Sequence, residues 1–269
     1  MGYFISEKIM EGLTRIVCPG NVYAFLIEGK DSAVLIDTGF GVGSLKQFID
    51  SLTSLPYEVI LTHGHLDHAG GAAEFEKVYL NDADLEVART HTTLEKRSPG
   101  FCSEEGGFRP EDMIPMKPLE EYLPLVRGQS FDLGGRTVTM YALPGHTPGS
   151  MCVLIEELRV MILGDACNSL GYMFLPESLD VETYAKAMRE FAGSRDLFDT
   201  VLYSHPHNFG GKEIIDETIR LCDEILSGKR TGVPRGTTPE GVRLLIAKAV
   251  DDQDHPLDGG CANFIYREN

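Results

Sequence analysis

The chain has 269 residues, of which 42% are hydrophobic and 24% charged, as expected of a globular protein with a sizeable core. Its formal net charge of −17 argues against general affinity for phosphate backbones or anionic bilayers, so we expect neither nucleic acid nor a membrane as partner. No apolar stretch approaches the roughly 20 residues that span a bilayer, and the acidic start of the chain does not resemble a secretory signal.

The first third of the chain predicts short strands followed by a helix. The runs VYAFLIEG (22–29) and SAVLIDTG (32–39) predict a β-hairpin. Segment 42–55 has apolar residues at helical spacing and ends before Pro56, and EVILTH (58–63) then predicts a buried strand. This order predicts a parallel strand pair with a right-handed crossover.

The region from about 88 to 126 differs from its surroundings. It has five prolines, a glycine pair and no clean period, which predicts an irregular insertion with one or two short helices. Long loops in compact domains are often lids or binding loops, so we expect a lid or substrate loop here. No segment resembles a linker, and we expect a single domain over residues 1–269.

A second strand-rich block spans about 131 to 164. The elements predicted after it are a helix over 180–193, a strand over 199–205, an amphipathic helix over 211–228 and an edge strand over 261–268. Tyr172, Met173 and Phe174 are expected mainly in the core, with pocket lining as the alternative.

The six cysteines are scattered and include no CxxC pair. In a chain of this size the pattern is typical of reduced, buried thiols rather than of a disulfide framework. We therefore expect a cytoplasmic protein.

Candidate metal ligands follow four predicted strands, at the point where each strand ends. They are His63, His65, Asp67 and His68 after EVILT, His146 after VTMYALPG, Asp165 after RVMILG, and His205 after DTVLYS. Loops at a common sheet edge can bring such side chains together. Imidazole and carboxylate donors suit zinc, with iron and manganese as alternatives. This donor set is too large for one tetrahedral ion and sufficient for two ions that share a carboxylate. For residues 61–71 alone, the alternative interpretation is a polar turn exposed to solvent.

The motifs THGHLDHAGG, PGHTPGS, LGDA and LYSHPH, in this order and preceded by LIDTG, resemble those of the metallo-β-lactamase superfamily, and in particular its glyoxalase II-like metal-dependent hydrolases. The resemblance implies an α/β fold, a four-layer αβ/βα sandwich of two mixed β-sheets flanked by helices. It implies that His63, His65 and His146 hold one divalent ion. It also implies that Asp67, His68 and His205 hold a second ion, and that Asp165 bridges the two.

Two further residues are implied near the metals. Asp37 would orient a ligand or its loop through hydrogen bonds. His207 is the alternative to His205 as ligand. If His205 is the ligand, His207 would face the substrate, support a ligand from outside or simply be solvated. We expect His91 and His255 on the surface.

Two divalent ions about 3.5–4 Å apart lower the pKa of a bridging water toward neutrality. We therefore expect a metal-dependent hydrolase, in which Asp67 orients the hydroxide, acting on a small ester, thioester, lactone or phosphodiester. One alternative is a mononuclear-iron oxidoreductase of the persulfide dioxygenase type. Another is a non-catalytic metal-binding protein.

Overall fold

The computed structural model describes residues 3–102 and 107–268, and the chain divides into two compact units. The first unit is Met1–Met140 with Ser204–Pro206, and the second is Tyr141–Tyr203 with His207–Asn269. Residues 103–106 of the predicted insertion lie outside the described residues. The prediction of one domain over residues 1–269 stays a prediction.

The first unit contains a mixed β-sheet whose strands follow one another in chain order. They are β1 (Ile5–Met10), β2 (Leu13–Cys18), β3 (Val22–Glu28), β4 (Ala33–Ile36), β5 (Tyr57–Ile60), β6 (Val78–Leu80) and β7 (Tyr122–Pro124). Strands β1 to β4 pair antiparallel, and β4 to β7 pair parallel. The predicted hairpin of β3 with β4 and the predicted parallel pair of β4 with β5 are both confirmed.

Short helices and a hairpin complete the first unit. They are α1 (Leu45–Leu52), α2 (Leu66–Ala69), α3 (Leu85–His91), α4 (Leu94–Arg97), the 3-10 helices Ala72–Glu74, Asp82–Asp84, Ser98–Gly100, Pro110–Asp112 and Leu119–Glu121, and the strands β8 (Ser130–Asp132) and β9 (Thr137–Ala142), the last two residues of β9 being assigned to the second unit. Helix α1 begins after Ser44, whose hydroxyl accepts from the backbone N–H of Gln47 at 3.2 Å. It buries Leu45 and Ile49 against the sheet in the apolar core of this unit. This helix is shorter than predicted because the segment before Pro56 is extended.

The second unit has its own strands and helices. They are β10 (Met151–Ile155), β11 (Val160–Gly164), β12 (Gly171–Met173), β13 (Thr200–Tyr203), β14 (Val233–Thr237), β15 (Arg243–Ile246), β16 (Phe264–Arg267), α5 (Val181–Phe191), α6 (Glu213–Leu226) and a 3-10 helix at Ala192–Leu197. Strand β11 pairs antiparallel with β10 and parallel with β13. Helices α5 and α6 bury their apolar faces in a core that includes Met188 and Leu221.

A further sheet of the second unit has the strand order β12, β16, β15, β14. Strand β16 pairs parallel with β12 and antiparallel with β15. The prediction of an edge strand at the end of the chain was therefore wrong. The flanking strands gave no sequence signal, because β12 has three residues and β14 is exposed along its whole length.

Within residues 3–102 and 107–268, no helix combines the length and the apolar character needed to cross a membrane.

Candidate metal centre

The histidine-rich loop of the first unit follows β5 directly and leads into α2. The carbonyl of His65 accepts from the backbone N–H groups of His68 (3.1 Å) and Ala69 (2.8 Å), so His65 starts the helical turn that carries Asp67 and His68. Gly64 lets the loop pass close to α3, since a Cβ atom there would lie 2.7 Å from the carbonyl oxygen of Asp84. The loop is held in place by the Asp84 carboxylate, which accepts from the Gly64 N–H at 2.8 Å.

His63 and His65 are buried with their rings turned toward each other. Nε2 of His63 lies 3.1 Å from Nδ1 of His65, and the ring centroids are 4.7 Å apart. At this separation the two nitrogens either share a proton or direct their lone pairs at one cation. Both side chains are nearly inaccessible to solvent, at 1% and 4% exposure.

Asp67, His68 and His205 form a second group of donor atoms in the first unit. The backbone N–H of Tyr23 donates to the carbonyl of Ser204 at 2.8 Å, which fixes the segment that carries His205. Oδ2 of Asp67 lies 3.6 Å from Nε2 of His68 and 3.4 Å from Nε2 of His205. One ligand atom from each of the three residues lies within 4.8 Å of the others, so this group could hold a metal ion.

Asp37 orients His68 and His63 through hydrogen bonds. Its Oδ2 atom lies 2.8 Å from Nδ1 of His68 and 2.8 Å from the hydroxyl of Thr62. That hydroxyl donates its one proton to Asp37, so it accepts from Nδ1 of His63 at 3.0 Å. Both histidines then carry a proton on Nδ1, which leaves Nε2 as the lone-pair donor for a metal.

In the second unit, His146 and Asp165 lie close together. Asp165 follows β11 directly, and its Oδ2 atom is 3.8 Å from Nε2 of His146. Nδ1 of His146 donates to the carbonyl of Tyr172 at 2.7 Å, so the lone pair of the ring lies on Nε2. The hydroxyl of Ser178 donates to the carbonyl of His146 at 2.9 Å and holds the backbone of this turn. His207 also belongs to this unit.

Two expectations about individual side chains were wrong. His91 is buried with its ring centroid 4.5 Å from that of His65, because it lies on the face of α3 that packs into the unit. Tyr172 is 43% exposed, although its neighbour Met173 is in the core. Thr62 and Asp84 could not be identified from the sequence, since each finds its partner only after folding.

The cysteines agree with the expected reduced thiols. All six are free, and they are buried except for Cys102, which is half-buried. Burial raises the pKa of the Cys167 thiol to about 11 and that of Cys18 to about 12. These side chains therefore act as small apolar groups of the core.

Known proteins place the chain in a family. The model of the metallo-beta-lactamase superfamily matches residues 19–196, more than half of the chain. The chain belongs to the metallo-beta-lactamase superfamily. The matched region begins before Asp37 and ends beyond Asp165.

Curated relatives of this superfamily member are named as thioesterases. The acyl-coenzyme A thioesterase MBLAC2 of Bos taurus is 26% identical over 275 residues, which cover 92% of this chain and 91% of that protein. An atrochrysone carboxyl ACP thioesterase of Aspergillus fumigatus is 30% identical over 174 residues, which cover 63% of this chain and 34% of that protein. These relatives support hydrolase activity.

Solved structures confirm the α/β sandwich with mixed sheets flanked by helices. A metallo-beta-lactamase from Pontibacter korlensis superposes with a TM-score of 0.59 at 18% identity, over 82% of this chain and 99% of that one. The sec-alkylsulfatase Pisa1 from Pseudomonas sp. superposes with a TM-score of 0.62 at 16% identity, over 85% of this chain and 44% of that one. At such identities the likeness shows the fold.

Proposed function

We propose that this protein is a metal-dependent thioesterase with a dinuclear metal site. One ion would be held by His63, His65 and His146, the other by Asp67, His68 and His205, and Asp165 would be shared. The observation that carries the proposal is the group of Asp67, His68 and His205 donor atoms within 4.8 Å of one another, with His63 and His65 on the same loop.

The donor chemistry fits divalent ions. Hydrogen bonds to oxygen at Nδ1 of His63, His68 and His146 leave Nε2 available in the neutral ring. Neutral imidazole with carboxylate oxygen is a preferred environment of zinc, and iron and manganese accept it too. When bound, two such ions acidify water and polarise a carbonyl group.

The chain's own residues supply the proton handling. The Asp67 carboxylate lies between Nε2 of His68 and Nε2 of His205 and is partly open to solvent, with its side chain 20% exposed. It can therefore orient the attacking water and accept its proton. In the reaction a C–O bond forms at the carbonyl carbon, the C–S bond breaks, and the thiol leaves. Thiols have a pKa near 8.5, so the sulfur leaves without a strong acid beside it.

The substrate class follows from the relatives rather than from the metal ligands. Two relatives from different kingdoms are named as thioesterases with different carriers, coenzyme A in one case and an acyl carrier protein in the other. We therefore propose an acyl thioester as substrate, a small molecule or a carried acyl group. A cytoplasmic location and the absence of nucleic-acid and membrane partners stay predictions from the sequence.

The test is release of thiol from hexanoyl-N-acetylcysteamine, measured on chelator-stripped protein before and after addition of zinc, iron or manganese. We expect turnover only with metal. We also expect His65→Ala to reduce kcat/KM by at least about 100-fold, because loss of a metal ligand has a larger effect than loss of a residue that only hydrogen-bonds to a ligand. Asp82→Asn, an exposed change in the same unit, is the control and keeps full activity.

Metal-loaded protein that releases no thiol would contradict the proposal. Oxygen consumption with a persulfide, together with one iron per chain, would favour the dioxygenase alternative.

A further inference from the structure

A cavity of about 160 Å³ lies within the second unit. Three chain segments form it: Ser169–Tyr172 after Asp165, His207–Phe209, and Gln253–His255. Its wall residue Tyr172 is the one whose carbonyl oxygen accepts from Nδ1 of His146. The side chain of Tyr172 thus faces the cavity while its backbone holds a proposed metal ligand. We call this cavity the Tyr172 pocket.

Aromatic side chains dominate the walls of the Tyr172 pocket. Tyr172 and Phe209 are 43% and 37% exposed, which is high for large rings that are not in contact with a ligand. Phe209 meets the ring of His255 edge-on at a centroid distance of 5.1 Å. The exposed faces of such rings favour contact with a further ring or an alkyl chain.

The lining of the pocket offers an anion no lysine or arginine among the described residues. Its one carboxylate, Asp254, pairs with the nearby Arg235, so these two charges balance each other. An anionic group bound here would lose water without gaining a lysine or arginine as partner, and an uncharged group needs no such partner.

We infer that the Tyr172 pocket binds the acyl group of the substrate, and that it selects uncharged acyl groups about the size of one six-membered ring. The inference rests on the proposed thioesterase function. The size follows from the volume, since a protein cavity of about 150 Å³ holds one benzene molecule. Acyl groups such as phenylacetyl and hexanoyl fill the pocket, acetyl leaves it partly empty, and dodecanoyl exceeds it.

The first test measures binding, so that it does not depend on turnover. Phenylacetamide, which has the ring and carbonyl but no thioester, is titrated into the metal-loaded full chain by calorimetry. We expect binding that weakens about tenfold or more in Phe209→Ala and Tyr172→Ala, because each change removes a wall of the pocket. Leu226→Ala, an exposed leucine of the same unit outside the pocket, is the matched control and binds as the unchanged protein does. Absence of binding to the unchanged protein would overturn the inference.

The second test measures selectivity with N-acetylcysteamine thioesters of acetate, phenylacetate, hexanoate and dodecanoate. We expect kcat/KM for phenylacetyl to exceed that for acetyl by about 10- to 100-fold, from burial of the ring. In Phe209→Ala we expect the ratio of kcat/KM for phenylacetyl to kcat/KM for acetyl to fall about tenfold or more, while the metal content stays unchanged. Tyr172→Phe keeps the preference for phenylacetyl. Equal losses of kcat/KM for acetyl and phenylacetyl in Phe209→Ala would overturn the inference about the pocket. The proposed thioesterase function would not be affected by that result. No metal-dependent hydrolysis of any ester would overturn the proposed function, and phenylacetamide binding alone would then decide whether the pocket takes this ligand.

Discussion

At the scale of single residues, Asp37 is the point from which the histidines of the first unit are oriented. One carboxylate contacts His68 directly and reaches His63 through the hydroxyl of Thr62. The backbone at Asp37 has a φ of 63°, a left-handed conformation that aspartate tolerates better than most residues. The sequence singled out Asp37 because it ends a strand within a motif. It could not single out Thr62 or Asp84, because nothing in an isolated threonine or aspartate reveals a partner about 20 residues away.

The Asp37 network predicts different effects for two substitutions. Asp37→Asn replaces the carboxylate that contacts His68 directly and His63 through the Thr62 hydroxyl by a neutral amide with one acceptor oxygen. We therefore expect the affinity for both ions to fall about 10- to 100-fold. Thr62→Val removes the hydroxyl contacts to His63 and Asp37 but leaves the direct contact between Asp37 and His68. We therefore expect the ion held by His63 to be weakened and the other ion to keep most of its affinity. Competitive titration of the metal-free protein with a zinc chelator separates the two affinities. Asp82→Asn serves as control, and equal weakening of both ions by Thr62→Val would show that the hydroxyl does more than orient His63.

At the scale of elements, the predicted insertion is anchored by a buried arginine. The guanidinium group of Arg97 donates to the carbonyl oxygens of Thr92 (2.8 Å), Phe40 (2.6 Å) and Ile114 (2.6 Å). These contacts tie the region 88–126 to the loop that follows Asp37. Burial lowers the pKa of Arg97 to about 10, so the group stays charged at neutral pH. The role of this region as a lid or substrate loop stays a prediction.

Replacement of Arg97 tests this anchor. Arg97→Met keeps the approximate volume but leaves three carbonyl groups without their donor, each worth about 1–3 kcal/mol when buried. We expect a loss of about 3–5 kcal/mol in the free energy of unfolding, visible as a lower midpoint in urea. The exposed Arg89→Met in α3 is the matched control and leaves the midpoint nearly unchanged. An equally small effect of Arg97→Met would show that solvent replaces its contacts.

Elements with a clear apolar pattern were predictable from the sequence. The hairpin of β3 with β4 and the helices α5 and α6 have strong periodic runs, and the structure confirms them. The pair β1 and β2 was missed because β1 is a solvent-facing edge strand with mixed polarity. The position of β16 inside its sheet was missed for a related reason. Its place in the sheet could not be predicted, because the short strand β12 and the exposed strand β14 have almost no hydrophobic pattern of their own.

At the scale of the whole molecule, the order of motifs along the chain predicted the superfamily and the fold, and both are confirmed. A strand followed by a polar ligand is a local pattern, so the candidate ligands could be named before folding. Substrate selection could not, because the Tyr172 pocket draws its walls from three segments far apart in the sequence. Pocket lining was the alternative expectation for Tyr172, and no expectation was formed for Phe209.

We propose that the seven candidate ligands hold one pair of ions. The most direct measurement is X-ray absorption spectroscopy of the zinc-loaded full chain, with metal content determined on the same sample. The account predicts two ions per chain with a metal–metal distance of about 3.5–4 Å, and loss of that signal together with one ion in His146→Ala. One ion per chain, or a spectrum that His146→Ala leaves unchanged, would contradict it.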